Sequence, residues 1–291
     1  MRSFLRGVAF LCVVLGGAGE GMCADVPLDA DLVALFSDLH VSAGPSGRRQ
    51  REGLARCVRE VLDCNPRPAH VLFFGDLSLD HGETNDYRVL KALVRPLEES
   101  GVAWHACFGN HDRREPFFAV FPERRTAEAA ITNRMVSVVS TPHANFVLLD
   151  SCLEGPVGGA VDDAQRAWLR ETLVIGRNPM FVGAHHPLRE TAVAEVLLSS
   201  GHCAGYVYGH NHVWKPERQM DIGTLGLPST GHWGDIGYVL VKISVDEAVF
   251  TLHQFDFYAP QPAARPEEAK AEWRERTAKN NGLQWRVQLH P

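Results

Sequence analysis

Continuous apolar runs alternate with amphipathic stretches through the first half of the chain. Three runs, at 32–36, 71–74 and 102–108, are almost wholly apolar, which is typical of strands buried on both faces. Between them, 48–63 and 84–99 carry apolar residues at helical spacing. This strand–helix–strand order predicts an α/β protein with parallel strands covered on both faces.

The second half of the chain is less regular. Charged residues at 113–133 predict a short helix within a surface excursion. No internal repeat or long linker divides the chain, so we expect one domain over 25–260 and a charged, helical tail over 261–291. The other predicted elements are strands at 135–139 and 145–149, a helix at 163–173, a strand at 178–184, a helix at 189–200, strands at 203–208, 222–227, 238–245 and 248–257, and a helix at 264–280.

Bulk composition excludes few classes of protein. The 291 residues are 45% hydrophobic and 22% charged, which is ordinary for a soluble globular protein. The net charge of −6 gives no indication of a nucleic-acid surface.

The first 24 residues have the layout of a secretory signal peptide. Arg2 and Arg6 precede an apolar stretch at 8–15, small residues follow at 16–19, and Ala24 ends a candidate cleavage site. The apolar stretch is too short to cross a bilayer as a stable helix. We therefore expect a secreted or periplasmic protein with no transmembrane helix after cleavage; the alternatives are a retained anchor and a merely hydrophobic N-terminus.

Five cysteines remain after that cleavage, which leaves at least one free thiol. None forms a Cys-x-x-Cys pair, so a structural zinc site of thiolates is not indicated. Small buried hydrophobic side chains are the favoured interpretation, although Cys57 and Cys64 are spaced to share a helix face. The five are Cys57, Cys64, Cys107, Cys152 and Cys203.

Polar clusters follow five of the predicted strands. In open α/β sheets, ligands bind beyond the carboxyl ends of the strands. In a strand-like segment, residues i and i+2 point the same way, so each Asp-x-His or His-x-His pair can offer two groups to one point. The clusters are Asp38-x-His40, Gly75-Asp76, Gly109-Asn110-His111-Asp112, His185, and Gly209-His210-x-His212.

The donor types in these clusters indicate a metal centre. Carboxylates, imidazoles and an amide oxygen, with no thiolate, favour Mn, Fe or Zn over a structural thiolate site. Seven candidate ligands are too many for one tetrahedral ion, but a pair of ions accommodates them if one carboxylate bridges. Each motif taken alone is found in ordinary polar turns; five of them at strand ends are not explained that way.

In this order, the five clusters resemble the calcineurin-like metallophosphoesterase superfamily, over about 32–212. The resemblance implies a four-layer αββα sandwich of two mixed sheets flanked by helices. It implies a first metal held by Asp38, His40, Asp76 and His212, and a second held by Asp76, Asn110, His185 and His210, so that Asp76 bridges. It also implies that a metal-activated hydroxide attacks phosphorus while His111 assists the leaving group.

Three further histidines are candidates for contact with a small phosphoester substrate. His186 follows the expected ligand His185 and is either a supporting or a substrate-facing residue. His81 lies just beyond Asp76, and His232 lies in a glycine-flanked loop, where a plain surface loop is the alternative.

Departures from other branches narrow the resemblance. Purple acid phosphatases have Gly in place of His40 and a ligand Tyr where this chain has Leu79. The displaced Asp80 argues against the phosphoprotein phosphatases and puts an Asp80–His111 pairing in doubt. The combination is most similar to bacterial cyclic-nucleotide and glycerophosphodiester phosphodiesterases. A phosphomonoesterase or nucleotidase, another metallohydrolase such as an amidohydrolase barrel, and a non-catalytic metal-binding descendant stay open, as do substrate and oligomeric state.

Overall fold

The computed structural model describes residues 26–125, 131, 133–258 and 266–289, with the backbone alone at 266–270. Its strands are β1 (Leu28–Phe36), β2 (Arg67–Phe74), β3 (Ala103–Cys107), β4 (Ser137–Ser140), β5 (Asn145–Leu148), β6 (Met180–Ala184), β7 (Cys203–Tyr208), β8 (Lys215–Gln219), β9 (Ile222–Gly226), β10 (Gly234–Ile243), β11 (Glu247–Tyr258) and β12 (Gln284–Gln288). Its helices are α1 (Arg48–Leu62), α2 (Thr84–Glu99), α3 (Arg114–Val120), α4 (Asp163–Ile175), α5 (Leu188–Thr191), α6 (Ala194–Ser200) and α7 (Pro266–Asn280).

The strands form two six-stranded mixed sheets, in the orders β12-β11-β10-β1-β2-β3 and β4-β5-β6-β7-β9-β8. The apolar runs that open the chain become the parallel ladder β1-β2-β3, and β5, β6, β7 and β9 are also parallel. The antiparallel pairs lie toward the edges of the sheets, in addition to the β1–β10 pair inside the first sheet. The parallel prediction therefore holds for these strands, and both sheets are mixed as the resemblance implied.

Three apolar clusters separate the four layers. Residues such as Leu35, Phe74 and Phe181 fill the space between the sheets. A second cluster joins α1, α2 and α3 to the outer face of the first sheet, and a third joins α4, α5 and α6 to the outer face of the second. This arrangement confirms the predicted αββα sandwich.

Local differences from the predicted elements have physical explanations. The helix expected at 189–200 is divided because Ala192 adopts a left-handed conformation (φ 57°). Strand β8 was missed because Lys215–Gln219 contains no apolar residue; it is an edge strand, where Pro216 is tolerated. The helix expected at 264–280 is present as α7, but β12 after it was not foreseen.

The cysteines agree with their interpretation as small hydrophobic side chains: the five described ones are free thiols, and Cys57, Cys107 and Cys152 are buried. Within the described ranges, none of the helices is long and apolar enough to span a membrane. The predicted signal peptide, 1–24, lies outside the described residues.

Candidate metal centre

The site is built where the carboxyl ends of β1, β2 and β3 in one sheet meet those of β6 and β7 in the other. Backbone hydrogen bonds tie the loops together: Asp38 donates its N–H to the Gly75 carbonyl oxygen (3.2 Å), and Gly209 donates to that of His185 (3.0 Å). Gly75 has φ 78°, and a Cβ there would lie 2.7 Å from both the Gly109 nitrogen and the His185 Cβ. Only glycine therefore permits this convergence.

The backbone at the clusters is not strand-like, which corrects the geometric argument made from the sequence. Five polar residues adopt left-handed conformations that are uncommon outside glycine. The expected alternation of strand side chains thus does not explain why the groups converge; left-handed conformations at these residues do. These residues are Asp38 (φ 51°), His40 (φ 46°), Asp76 (φ 48°), His210 (φ 67°) and His212 (φ 53°).

One group of donors comprises Asp38, His40 and His212, all of them buried. Asp38 Oδ1 lies 3.0 Å from His212 Nε2, and His40 Nε2 lies 3.3 Å from His212 Nε2. Backbone carbonyl oxygens face both Nδ1 atoms, that of Trp233 for His212 (3.1 Å) and that of Leu79 for His40 (3.4 Å). With both Nδ1 atoms donating, both Nε2 atoms present lone pairs to the same point.

The other group is centred on Asp76. Its Oδ2 lies 3.2 Å from His185 Nε2 and 3.5 Å from His40 Nε2, so this carboxylate faces both groups of donors. His185 Nδ1 donates to the Phe74 carbonyl oxygen (2.9 Å), and His210 Nδ1 lies 3.2 Å from His185 Nε2. His210 and His212 therefore face different groups rather than one shared point.

The donor set fits a pair of metal ions. Lone-pair nitrogens of His40 and His212 only 3.3 Å apart repel each other unless a cation or proton lies between them. Asn110 Oδ1 is buried and has no hydrogen-bond partner among the described atoms, which is costly for an amide unless an ion satisfies it. Imidazole, carboxylate and amide oxygen suit Mn, Fe or Zn.

Electrostatics in the pocket favour bound positive charge. Burial is the largest single effect on the pKa of Asp38 and raises it, but the charge and hydrogen bond of His212 and the charge of His185 together outweigh burial and lower the pKa to about 2. Burial is the largest single effect on the pKa of His185 and lowers it, but the charge and hydrogen bond of Asp76, the charge of Asp38 and the Phe74 carbonyl together outweigh burial and raise the pKa to about 9. The carboxylates thus stabilise a proton on a neighbouring imidazole, and a divalent ion competes for the same electron pairs.

Asp112 holds the loops together rather than facing the pocket. Its fully buried carboxylate accepts hydrogen bonds from the backbone N–H groups of Gly109, Leu77 and Ser78, at 2.9–3.2 Å, and from the Tyr87 hydroxyl at 3.0 Å. Burial and the charge of Asp76 raise its pKa to about 6. The motif contained this residue, but nothing in the sequence indicated Tyr87 as its partner.

His111 lies at the open side of the centre. Its side chain is 33% exposed, and its Nε2 is 4.0 Å from Asp76 Oδ2. Its backbone N–H donates to Asp76 Oδ1 (3.0 Å), which fixes the start of the side chain. Among the described carboxylates only Asp76 comes within 4.0 Å of a His111 ring nitrogen, so the structure provides no Asp80 partner.

The three candidate substrate histidines differ in position. His186 is fully buried, with Nδ1 2.8 Å from the Ser151 hydroxyl and Nε2 3.0 Å from the Val157 carbonyl oxygen, so both of its ring nitrogens contact the loop at 151–157. The His232 ring lies 4.1 Å from that of His40, at the edge of the centre. His81 is exposed on the loop after β2.

Loop 228–234 carries His232 and Trp233, which the sequence indicated as candidates to line the pocket, and Ser229, which it did not single out. The Trp233 ring lies 4.1 Å from the His212 ring, and its carbonyl oxygen accepts from His212. The Ser229 hydroxyl donates to the Asp38 carbonyl oxygen (2.7 Å). A tryptophan beside a histidine between glycines was the only signal for this loop.

Comparison with known proteins is consistent with this centre. Residues 32–214 match the calcineurin-like phosphoesterase domain. The 3',5'-cyclic adenosine monophosphate phosphodiesterase CpdA of Pseudomonas aeruginosa is 31% identical over 218 residues, which are 68% of this chain and 76% of that protein. A probable cyclic nucleotide phosphodiesterase of Psychrobacter arcticus is 27% identical over 96 residues, 31% of this chain and 34% of that protein.

Solved structures share the fold. The purple acid phosphatase PPD1 of yellow lupin superposes with a TM-score of 0.58 at 11% identity, covering 89% of this chain and 53% of that one. GAP50 of Plasmodium, described as the anchor in the inner membrane complex, gives 0.57 at 12% identity and covers 89% of each chain. At these identities the likeness concerns the fold alone. The domain match and the CpdA relative together establish that this chain belongs to the calcineurin-like phosphoesterase family of metal-dependent phosphoester hydrolases.

Proposed function

We propose that this protein is an exported phosphodiesterase whose centre holds two metal ions, Mn, Fe or Zn. The observation that carries the proposal is the position of Asp76, whose Oδ2 lies within 3.5 Å of His40 in one group of donors and of His185 in the other. A carboxylate between two such groups is the arrangement that a bridging ligand requires.

The proposed ligands follow from the donor geometry together with the family resemblance. Asp38, His40 and His212 hold the first ion and share Asp76 with the second. Asn110, His185 and His210 complete the second. The buried, unpartnered Oδ1 of Asn110 supports its inclusion.

The chemistry divides between the ions and the protein. Two bound ions supply acidity to a water nucleophile and positive charge to the phosphate oxygens. His111, on the open side, donates a proton to the leaving oxygen, as an imidazole near neutral pH does well. Asp112 keeps the loop of Asn110 and His111 fixed, and the Trp233 carbonyl keeps Nε2 of His212 aimed inward.

Diester specificity is supported by the relatives. CpdA is described as a cyclic-AMP phosphodiesterase, and the Psychrobacter protein as a probable cyclic nucleotide phosphodiesterase. Export, inferred from 1–24, favours a role in scavenging phosphoesters by hydrolysing them outside the cytoplasm. His232 and Trp233 form the part of the rim that would meet the organic group of such a substrate.

The direct test compares hydrolysis of bis(p-nitrophenyl) phosphate, p-nitrophenyl phosphate and 3',5'-cyclic AMP by the mature protein loaded with Mn, Zn or Fe. We expect faster turnover of the diesters. On 3',5'-cyclic AMP, whose leaving oxygen is an alkoxide that needs a proton, His111→Ala should lower kcat by about 10²–10⁴-fold and leave the metal content unchanged. Asn110→Ala should lower metal content and activity together.

His202→Ala is the matched control, because His202 is exposed and precedes β7 at the end opposite to the site. Preference for the monoester would replace the proposal with a phosphatase or nucleotidase. Activity on none of the three substrates in any metal would leave a narrow substrate or a binding role. Export is tested separately, by locating the N-terminus of the protein recovered from the periplasm or medium.

A further inference from the structure

Asp235 lies outside the sequence motifs, yet it holds the segment that follows His212 in place. It is fully buried, and its backbone N–H donates to the His212 carbonyl oxygen (2.9 Å). Its carboxylate Oδ2 accepts from the Trp214 N–H (3.0 Å). Asp235 therefore hydrogen-bonds to the backbone on both sides of Val213, directly after the left-handed residue His212.

Gly234, the preceding residue, makes these two hydrogen bonds possible. Gly234 has φ 82°, and a Cβ at this position would collide with the His212 carbonyl oxygen. The turn brings Asp235 against His212 and at the same time presents the Trp233 carbonyl oxygen to His212 Nδ1 (3.1 Å). Position and ring orientation of His212 thus both depend on residues 233–235.

The charge of Asp235 is compensated by a helix from the end of the chain. Arg276 of α7 donates from Nε to Asp235 Oδ1 (3.0 Å), and Gln254 Nε2 donates to the same oxygen (3.1 Å). The guanidinium lies over the Phe257 ring, 4.4 Å from its centroid. Asp235 is 1% exposed and Arg276 42%, so the ion pair forms at a buried carboxylate whose charge has no other cationic partner among the described residues.

Removing one partner of such a pair leaves an uncompensated buried charge, which the protein relieves by moving the carboxylate or admitting water. Either response displaces the segment from His212 to Trp214. Residues that orient a metal ligand from behind are typically worth 10–100-fold in metal affinity or activity. Helix α7 also lies outside the 32–214 family match.

We propose that the Asp235–Arg276 pair is a positioning device through which the C-terminal helix α7 holds His212 in its metal-binding orientation. The inference rests on the proposed function, because it takes His212 as a ligand of the first ion. Arg276 touches neither ligand nor substrate; it acts through Asp235.

The test is a Mn²⁺ titration of the full-length protein after removal of metal by chelation. Free Mn²⁺ is followed by electron paramagnetic resonance, and bound Mn²⁺ by elemental analysis. Arg276→Gln should weaken the affinity for one of the two Mn²⁺ ions by about 10–100-fold. Its kcat should recover at saturating Mn²⁺, because the reacting groups are unchanged. Arg276→Lys should restore most of the affinity, because it returns the positive charge.

Two further variants make the result interpretable. His212→Ala identifies the ion whose binding depends on His212, and Arg276→Gln should weaken the affinity for the same ion. Arg274→Gln, on the same helix but not a partner of Asp235, should bind Mn²⁺ as the unmodified protein does. The melting temperature of each metal-free variant separates a loss of fold from a loss of positioning.

Wild-type affinity for both ions in Arg276→Gln would overturn the inference and leave the proposed function standing. Equal losses in Arg276→Gln and Arg276→Lys, together with a lower metal-free melting temperature, would also overturn it in favour of a purely structural pair. Fewer than two ions bound by the unmodified protein would overturn the two-metal proposal and this inference together.

Discussion

The five left-handed residues around the centre are held there by their neighbours. Such conformations cost about 1–3 kcal/mol each unless the surroundings determine them. The Asp38 carboxylate accepts the His210 N–H at 3.0–3.1 Å, and the His40 N–H donates to the Asp76 carbonyl oxygen at 2.8 Å. Each turn is therefore fixed by a hydrogen bond to another cluster, and the clusters form one interlocked unit.

Asp112 is the residue on which we expect this unit to depend most. Asp112→Asn keeps one acceptor oxygen but turns an NH₂ group toward backbone N–H donors, so at least one buried donor loses its partner. We expect a loss of about 2–4 kcal/mol in the free energy of unfolding. Urea denaturation of the metal-free protein measures it. Asp80→Asn is the control because Asp80 is exposed; equal effects of the two variants would contradict this role.

At this scale the sequence predicted which side chains converge but not how. Asp38-x-His40 is compatible with an extended strand and with left-handed conformations at both polar residues, because Asp and His tolerate both. For His186 the sequence left two roles open, a supporting one and a substrate-facing one. Its two ring nitrogens are occupied by Ser151 and Val157, which are more than 28 residues away along the chain, so no local pattern could show that it is buried.

Helix α1 lies unusually close to the loop that carries His232. A Cβ at Gly53 would collide with the Thr230 carbonyl oxygen, and one at Gly231 would lie 2.9 Å from the Gln50 Cα. Gln50 Nε2 also lies 2.9 Å from His232 Nδ1. The helix therefore forms the floor of the loop and sets how far His232 reaches over the centre.

Gly53→Ala tests this contact, because helix propensity predicts a more stable protein and packing predicts a less stable one. Propensity alone would stabilise the helix by about 1 kcal/mol. We expect the collision to win and destabilise the protein by about 1–3 kcal/mol, as overpacked sites do. Thermal unfolding of the metal-free protein gives the sign. Arg59→Ala is the control, because Arg59 is exposed on the same helix and has no ion pair among the described residues, so the change alters helix propensity alone. A melting temperature raised by Gly53→Ala would refute the close contact.

Strands β2 and β3 carry a pair of histidines that should make stability depend on pH. The rings of His70 and His105 are 5.5 Å apart. Burial, followed by the charges of His70 and Arg124, lowers the pKa of His105 to about 4. An unfolded histidine titrates near 6.5, so between these values the unfolded chain binds more protons and stability falls as the pH falls.

Between pH 7 and pH 5 this single group should cost about 2 kcal/mol of stability. His105→Gln should therefore lose less stability over that interval than the unmodified protein. Urea denaturation at both pH values, with chelator present, gives the change in unfolding free energy between pH 7 and pH 5 for each protein. The pocket histidines contribute equally to both changes, so their effect cancels when the two are compared. His202→Gln, which changes an exposed histidine, should leave the pH dependence unaltered. An unchanged dependence in His105→Gln would exclude a neutral, buried His105.

At the scale of the whole molecule, the apolar runs were sufficient to predict the layers, but the edges of the sheets were not predictable. The central strands β1, β2 and β6 are recognisable because both faces are buried. Strand β12 alternates exposed and half-buried residues within a charged tail, so its signal is weak. Its pairing with β11 is a contact between the end of the chain and a strand that precedes helix α7.

Trp285 of β12 packs against the apolar cluster between the sheets and so joins the tail to the core. Its ring lies 4.8 Å from that of Phe250 in the first sheet and 6.4 Å from that of Phe181 in the second. Gly205 and Gly223 leave the space that it occupies, since a Cβ at either would lie 2.8–3.3 Å from the indole. The tail thus closes one side of the sandwich.

Trp285→Ala should consequently destabilise the protein by about 2–4 kcal/mol, somewhat less than removal of a fully buried tryptophan. Because the cavity lies between the sheets, the loss should appear in global unfolding measured by urea denaturation and not only as fraying of the tail. Leu283→Ala is the control, since Leu283 precedes β12 and is 44% exposed. If Trp285→Ala released the tail to protease without lowering the global free energy of unfolding, the tail would be an appendage. The lowered value that we expect would make it part of the domain, and would explain how a helix at the end of the chain can be rigid enough to orient a residue beside the metal centre.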